Sequence, residues 1–294
     1  MASHKKPIKI VLWNANGIHN KIQELRAFLS INNIDILALC ETKLQKNHRL
    51  FISGYKVLRR DGDNNARAGG VALLIREGLE YRELDTINST IETKAIELKT
   101  GLTVVAAYNK PKNKISDDDL NRIFGISKKV VLAGDLNCRH SQWGCHRDNF
   151  NGKVLENFSE NHPNININST TEPTHYPTNG TTPTFIDLVI TQNYTLPYRP
   201  YIKLDLNSDH VPVIFHSEST DNFNLEPKYI TSFKQTDWNK FRTDLDSKIK
   251  INNNINSPIE LENEFKKFLD AINFAKHRNT NKKLINIQKD HIPD

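Results

Sequence analysis

Polar residues that can bind metal ions or phosphate follow or interrupt apolar runs at several points along this sequence. Such positions, at the ends of buried strands, are where a rigid scaffold displays chemical groups. Any one of the motifs is short and common, but their ordered combination predicts a metal-dependent phosphodiesterase. The residues concerned are Asn14, Glu41, Tyr108, Asp135, Asn137, Asp187, Asp209 and His210.

Glu41 directly follows an apolar run, where a carboxylate is costly to bury unless it is paired or bound to a metal. Asn14 ends another run and offers an uncharged oxygen. Together they suit a hard cation such as Mg²⁺. Taken alone, Glu41 is better explained as a helix cap or a surface acid.

Asp135 and Asn137 lie two residues apart, so on an extended segment both side chains point to the same face. An aspartate there can orient or deprotonate water, and the asparagine amide can donate to a phosphate oxygen. The same four residues, Gly-Asp-Leu-Asn, also form a good Asx turn. Without the other motifs, the turn is the better interpretation.

His210 needs an acidic partner if it is to stabilise negative charge as an imidazolium. Asp187, an acid inside an apolar run, must itself be satisfied, and a histidine serves that purpose. Asp209 can reach the opposite side of the chain, towards the metal. Tyr108 ends an apolar run and would supply a hydroxyl to the phosphate, with plain aromatic packing as the alternative.

The composition is consistent with an acidic partner. The chain has 294 residues and a net charge of +6, the right sign for a polyanionic substrate but equally typical of a solvated lysine-rich face. No stretch approaches the ~20 apolar residues of a membrane span, so no membrane partner is expected. The basic N-terminus runs straight into a strand, unlike a secretory signal. Three cysteines, an odd number, favour a reducing compartment over a disulfide framework.

Apolar runs of strand length recur between helical patterns, and several are apolar on both faces. They predict strands covered on both sides, in sheets sandwiched between helices. One helix is predicted from Ile22 to Leu29, a second from the N-cap Ser116, and a third over 152–160. The predicted strands are 8–13, 35–40, 70–76, 95–99, 102–108, 129–133, 185–191 and 211–215.

The pattern changes near residue 218 and becomes purely helical after residue 230. One stripe begins at Trp238, and Ser257-Pro258-Ile259-Glu260 predicts the start of a second helix with a capping box. A domain over 8–217 and a helical extension over 218–294 are therefore expected.

Trp-Asn-Ala-Asn-Gly, Glu-Thr-Lys, Gly-Asp-Leu-Asn, Ile-Asp-Leu-Val and Ser-Asp-His, with Tyr108, occur in an order that resembles the exonuclease–endonuclease–phosphatase superfamily. The resemblance covers roughly residues 8 to 217. Details such as Pro183-Thr184-Phe185-Ile186-Asp187 look like the endonuclease of non-LTR (LINE-type) retrotransposons, nearest the jockey-like branch. The segment after residue 217 is similar to what precedes the reverse transcriptase in such polyproteins.

The resemblance implies a four-layer α/β sandwich of two face-to-face mixed sheets flanked by helices, plus a C-terminal helical extension. It implies a role for each site residue. Asp135 would position the attacking water with Asn137, Asp187 would orient His210 against the phosphate, and Tyr108 would contact the phosphate or the leaving oxygen. Glu41, Asn14 and Asp209 would form the metal site, for Mg²⁺ or alternatively Mn²⁺.

The implied function is nicking of one strand of double-stranded DNA, leaving a 3′-hydroxyl that primes reverse transcription by a covalently linked enzyme, with action in the nucleus after cytoplasmic synthesis. An abasic-site repair endonuclease is the runner-up; Cys40 weakens it, because repair enzymes usually have glutamine there. A lipid or inositol phosphatase and a catalytically inactive DNA-binding module are the remaining alternatives.

Overall fold

The computed structural model describes residues 7–62, 68–217, 229–232, 236–249 and 255–284. The chain divides into two compact units, Met1–Asp221 and Asn222–Asp294. Within the described ranges, no helix is both long and apolar enough to cross a bilayer.

The first unit contains twelve strands and three α-helices in its described residues. The helices are α1 (Ile22–Asn32), α2 (Asp117–Phe124) and α3 (Phe150–Asn161). In chain order the strands are β1 (Lys9–Asn14), β2 (Ile36–Cys40), β3 (Tyr55–Arg60), β4 (Val71–Arg76), β5 (Tyr81–Glu83), β6 (Glu92–Leu98), β7 (Thr103–Tyr108), β8 (Val130–Asp135), β9 (Ile165–Asn168), β10 (Asp187–Gln192), β11 (Tyr201–Ile202) and β12 (Val213–His216).

These strands form two six-stranded mixed sheets. The strand order is β11-β12-β1-β2-β4-β3 in the first sheet and β5-β6-β7-β8-β10-β9 in the second. Each sheet has one parallel pair, β1 with β2 and β7 with β8, and its other pairs are antiparallel.

The side chains of each central strand alternate between two cores, as the two-residue period of a strand requires. Leu12 on β1 lies in the core between the sheets, together with Val104 of β7. Val11 and Trp13 point the other way and pack with Leu25 of α1. The outer face of the second sheet packs in the same way against α2 and α3. The predicted four-layer α/β sandwich is confirmed.

Local sequence explains where the helices begin and end. Ser116 accepts a hydrogen bond from the backbone N–H of Asp119 (3.2 Å), and Asp119 reaches back to Ser116, which forms a capping box for α2. Asn149 accepts from Gly152 N–H at 2.7 Å and begins α3 two residues before the predicted start. Asn33, in the left-handed region, ends α1.

Short edge strands were missed by the sequence prediction. β3, β5, β9 and β11 carry no continuous apolar run. All four lie at a sheet edge, and an edge strand needs apolar residues on at most one face. β6 begins at Glu92, three residues before the predicted start at Ala95. The prediction missed these three residues because they are polar.

The second unit contains two helices and a two-stranded sheet in its described residues. The helices α4 (Trp238–Lys248) and α5 (Pro258–Asn279) confirm the predicted helical extension, and Ser257 caps α5 by accepting Glu260 N–H at 3.2 Å. The expectation of a purely helical segment is wrong, because β13 (Tyr229–Ser232) pairs antiparallel with β14 (Asn281–Leu284).

Candidate active site

The candidate site lies where the parallel strands of both sheets end. Asn14 ends β1 in register with Cys40 at the end of β2, so Glu41 follows at the same edge. In the second sheet, Tyr108 ends β7 in register with Asp135, the last residue of β8. The carboxyl ends of parallel strands meet at one edge, which brings these side chains together.

Asp187, His210 and Asp135 form a buried triad at this edge. Asp187 begins β10 directly opposite Asp135. His210 Nδ1–H donates to Asp187 Oδ2 over 2.8 Å, and His210 Nε2 lies 3.8 Å from Asp135 Oδ2. Each of the three residues is at most 5% exposed. The structure therefore pairs the histidine with the acid that the sequence assigned to it.

The electrostatics of the triad follow from burial and from the two acids. Burial alone would lower the pKa of His210, but the charge and hydrogen bond of Asp187, with the charge of Asp135, raise this pKa to about 9. Burial raises the pKa of Asp135 to about 7, and the charge of Asp187 adds to this increase. The imidazolium is thus retained at neutral pH, while Asp135 titrates near neutrality.

Asn14 joins the two sheets at the site. Its Nδ2 donates to Asp135 Oδ2 at 2.8 Å and to Glu41 Oε1 at 3.1 Å, while its Oδ1 accepts from Asn16 N–H at 2.9 Å. In this orientation Asn14 offers nitrogen to its acidic neighbours, and its predicted role as an oxygen ligand stays a prediction. Burial, followed by the charge of the nearby Glu41, raises the pKa of Tyr108. Its hydroxyl therefore stays protonated.

Asn137 lies beside the triad, but its backbone differs from the expectation. β8 ends at Asp135, and Asn137 has φ of 50°, so the two residues do not share an extended segment. Asn137 N–H donates to Asp135 Oδ1 at 2.9 Å, which is the Asx turn of the alternative interpretation. Its Nδ2 donates to the carbonyl oxygen of Asn109 at 2.9 Å. The turn fixes one carboxylate oxygen of Asp135 and leaves the other near His210.

Oxygen atoms of Glu41 and Asn16 already converge on a cation, the ammonium of Lys43. Lys43 Nζ lies 3.3 Å from Glu41 Oε2 and donates to Asn16 Oδ1. Asn16 Nδ2 in turn donates to Asp209 Oδ1 at 3.0 Å, which connects the two predicted acidic ligands. A hard, negatively charged oxygen set that attracts an ammonium also suits a divalent ion, so the residues present fit the expected metal.

Two further residues belong to the site and were not singled out from the sequence. His175 stacks on His210 with ring centroids 4.3 Å apart, and its Nε2 lies 3.6 Å from Asp209 Oδ2. Asn16 bridges Lys43 and Asp209, as described above. Asn16 could have been predicted, because it belongs to the same Trp-Asn-Ala-Asn-Gly motif as Asn14. The sequence around His175, Pro-Thr-His-Tyr, gives no indication that this histidine lies at the site.

Two triplets bring ligand atoms within 4.8 Å of one another in the described chain, Asp135/Asp187/His210 and His175/Asp209/His210. Both triplets contain His210, and neither contains Glu41.

Strained backbone surrounds the predicted ligands. Asn16, Glu41, Lys43 and Asn137 all have φ between 45° and 52°, a conformation that costs a non-glycine residue free energy. Backbone hydrogen bonds hold the turn after β2: Gly17 N–H donates to Glu41 O at 2.8 Å, and Ala15 N–H donates to Cys40 O at 3.0 Å. The fold thus imposes the position of the Glu41 carboxylate.

The chain is similar in sequence to proteins of mobile elements. Residues 102–214 match the family model described as endonuclease-reverse transcriptase. The RNA-directed DNA polymerase of the mobile element jockey from Drosophila melanogaster is 29% identical over 276 residues, which are 91% of this chain and 30% of that relative. The probable polymerase of transposon BS from the same species is 30% identical over 279 residues, 92% of this chain and 30% of the relative. The chain thus spans less than a third of these relatives.

Solved structures share the fold at low sequence identity. The endonuclease domain of TRAS1, a telomere-specific non-LTR retrotransposon, has a TM-score of 0.59 and 16% identity, covering 73% of this chain and 100% of that domain. An AP endonuclease from Leishmania major has a TM-score of 0.54 and 14% identity, covering 72% of this chain and 88% of that one.

The fold class is therefore that of the AP-endonuclease-like α/β proteins. In sequence, residues 102–214 resemble the endonuclease-reverse transcriptase family model, and most of the chain resembles a part of two RNA-directed DNA polymerases of mobile elements.

Proposed function

We propose that this chain is a Mg²⁺-dependent DNA endonuclease that nicks one strand of double-stranded target DNA. The observation that carries the proposal is the buried triad of Asp187, His210 and Asp135, at the edge where Glu41 and Tyr108 also lie. His210 Nδ1 donates to Asp187 at 2.8 Å, and His210 Nε2 lies 3.8 Å from Asp135 Oδ2. Such a site pairs a general base with a fixed positive charge, as hydrolysis of a phosphodiester requires.

Asp135 is the general base of this proposal. Its Oδ1 is held by Asn137 N–H and its Oδ2 by Asn14, so the carboxylate is oriented before substrate arrives. Asp135 accepts a proton from the attacking water, whose oxygen forms the new bond to phosphorus while the bond from phosphorus to the 3′-oxygen breaks. The leaving 3′-oxygen takes up a proton from solvent, so the products are a 5′-phosphate and a 3′-hydroxyl. A pKa near neutrality suits a base that works at physiological pH.

His210 stabilises the charge that develops on the phosphate. Its pKa of about 9 keeps the ring protonated, and Asp187 fixes which nitrogen faces the site. Because the pKa of Tyr108 is raised, its hydroxyl stays protonated at neutral pH. It donates a hydrogen bond to the phosphate or to the leaving oxygen. Asn137 supports Asp135 and adds a neutral amide.

Glu41 and Asp209, with Asn14 or Asn16 as neutral oxygen ligands, would hold Mg²⁺, or alternatively Mn²⁺. The bound ion would neutralise phosphate charge and polarise the scissile bond. In this proposal Lys43 gives up its contact with Glu41 Oε2 when the ion binds.

The 3′-hydroxyl product suggests a place in a longer reaction. Relatives that this chain matches over 91–92% of its length are named as RNA-directed DNA polymerases. We infer that the nick primes reverse transcription by a linked polymerase, and that the protein acts in the nucleus after synthesis in the cytoplasm. Residues 218–294 would connect the two activities.

The test is conversion of supercoiled plasmid to open circles, with the nick ends mapped. We expect nicking with Mg²⁺ or Mn²⁺, 3′-hydroxyl ends, and no activity in excess EDTA. Asp135→Asn and His210→Ala should each lower the rate by about two or more orders of magnitude while the fold is kept. Nicking that persists in EDTA refutes the metal role, and wild-type rates in either variant refute the assigned roles.

The same assay addresses the alternatives. Undamaged DNA and DNA with an abasic site should be cut at similar rates, and a large preference for the abasic site would favour a repair endonuclease. Complete inactivity with retained DNA binding would favour an inactive binding module. Cys40 gives the repair alternative no support, since its thiol is buried and donates to the Ala107 carbonyl oxygen at 3.1 Å.

A further inference from the structure

Glu92 is a buried acid at the edge of the site that the proposed mechanism does not use. It is the first residue of β6, in register with Tyr108 at the end of β7, and it is 3% exposed. A carboxylate this deeply buried loses its hydration, so it is retained only where specific partners compensate it.

The partners of Glu92 come from both sheets. Its Oε2 accepts the backbone N–H of Gly70 at 2.5 Å, and Gly70 leads directly into β4 of the first sheet. Its Oε1 lies 2.9 Å from the ammonium of Lys110, which follows β7 of the second sheet. The carboxylate therefore ties the loop before β4 to the second sheet.

The Gly69-Gly70 pair is shaped for this contact. A Cβ atom on Gly69 would lie 2.6 and 2.7 Å from the two carboxylate oxygens of Glu92, and one on Gly70 would lie 2.4 Å from Thr42 Oγ1. Both glycines have positive φ, +75° and +87°. Only glycines allow the backbone to approach the carboxylate and Thr42 so closely.

The same two glycines hold the turn that carries Glu41. Gly70 O accepts Thr42 N–H at 3.1 Å, and Gly69 O accepts Lys43 N–H at 2.9 Å. Glu41 and Lys43 have positive φ, so this turn needs external restraint to keep its conformation. A continuous path of hydrogen bonds thus runs from the Glu92 carboxylate, through Gly69-Gly70, to the backbone on both sides of Thr42.

We propose that Glu92 is a positioning residue that sets the Glu41 carboxylate at the correct distance from the second-sheet groups Tyr108 and Asp135. The inference rests on the proposed function for its catalytic meaning. Its structural content, restraint of the Glu41 turn by a carboxylate from the opposite sheet, stands independently of that function.

The test compares three variants of the full chain at a temperature where all are folded. Glu92→Ala removes the acceptor for Gly70 N–H. Glu92→Gln keeps a carbonyl oxygen for that bond and is the conservative variant. Glu97→Ala is the matched control, because Glu97 lies on the same strand and pairs with the exposed Arg82 instead.

Three quantities are measured: the backbone amide NMR signals of Thr42 and Lys43, Mn²⁺ affinity by electron paramagnetic resonance, and kcat and KM for plasmid nicking. For Glu92→Ala we expect shifted amide signals, Mn²⁺ affinity and kcat each lowered at least about tenfold, and KM for DNA within about threefold of wild type. Glu92→Gln should keep the two amide signals near their wild-type positions and should keep Mn²⁺ affinity, kcat and KM within about threefold of wild type. Glu97→Ala should match wild type on every measurement.

A folded Glu92→Ala variant with unmoved Thr42 and Lys43 signals overturns the proposal, as does one with wild-type Mn²⁺ affinity and kcat. Glu92→Gln as impaired as Glu92→Ala also overturns it, since the hydrogen bond to Gly70 would then not be what matters. If the wild-type chain itself does not nick DNA, the proposed function fails, while the amide signals still decide whether Glu92 restrains the turn.

Discussion

Replacing Asp187 by asparagine removes one charge from the centre of the site with little change in volume. The variant keeps the position opposite Asp135 in the sheet but loses the carboxylate that accepts the 2.8 Å hydrogen bond from His210 Nδ1. An amide at this place can also donate to His210, which favours the wrong tautomer of the ring.

The magnitude follows from the pKa of His210. With the pKa at about 9, roughly 97% of the rings are protonated at pH 7.5. Without Asp187, the largest contribution that raises this pKa is lost while burial still lowers it, so the protonated fraction at pH 7.5 falls. Loss of charge and the wrong tautomer together should lower kcat by about 100–10,000-fold, the scale seen when the acid that orients a catalytic histidine is replaced by its amide.

The pH profile gives a second, independent signature. The active form needs Asp135 deprotonated, so activity rises with pH through its pKa of about 7, and needs His210 protonated, so activity falls through about 9. The charge of Asp187 raises both pKa values. Its removal should therefore shift both limbs of the profile to lower pH, towards an acidic optimum.

The assay is plasmid nicking by wild type, Asp187→Asn and the control Asp205→Asn between pH 5 and 10. Asp205 is the control because it is an exposed acid that pairs with Lys203 at 2.8 Å and belongs to no proposed site. An Asp187→Asn rate within about twofold of wild type at pH 7.5, or a profile with unmoved limbs, would refute the assigned electrostatic role.

Two further predictions concern stability and the second unit. Burial would raise the pKa of Asp119, but hydrogen bonds from Ser116, Thr90 and Ser89 lower it from 3.8 to about 2. Asp119 therefore stabilises the fold above pH ~4 and loses this effect as the pH falls towards 2, so Asp119→Asn should cost about 2 kcal/mol at pH 7 and much less near pH 2, measured by urea unfolding. A chain that ends near residue 220 should keep nicking activity, because every proposed site residue precedes residue 217; a folded but inactive truncation would make the second unit part of the enzyme.

The core strands could be predicted from the sequence because they are apolar on both faces. β2, β4 and β7 are each within a residue of the predicted bounds at their ends. Glu41 follows β2, and Tyr108 and Asp135 end the parallel pair β7 and β8, so these residues could be expected at one edge. Asp187 begins β10 and His210 precedes β12. Those two were paired because a buried acid needs a partner, and they were joined to Asp135 through the resemblance of the ordered motifs.

The remaining parts depend on tertiary contacts that leave no periodic signal. In the sequence, Glu92 lies in a polar stretch before the predicted strand, so nothing local indicates that it is buried. The hydrogen bond from Gly70 N–H, which comes from the other sheet, explains why an acid is buried there. His175 belongs to a segment that pairs with His210 through an isolated bridge, so nothing in its immediate neighbours indicates the stacking. The β13–β14 pair joins residues more than 45 positions apart, beyond the range of local patterns.

The strand orders of the two sheets have a consequence for how this site can change. In spatial order, β11-β12-β1-β2-β4-β3 and β5-β6-β7-β8-β10-β9 have the same succession of antiparallel and parallel neighbours. The two sheets, which form the two halves of the first unit, therefore share one pairing pattern, although the chain connects their strands differently. The site is then a junction between two equivalent edges, and the spacing of its groups depends on the thickness of the layer between them. Small residues such as Ala38 and Ala106 set part of that thickness. Enlarging them would act as a wedge between the halves, so buried positions that contact no substrate become a means of tuning the distance across the reacting centre.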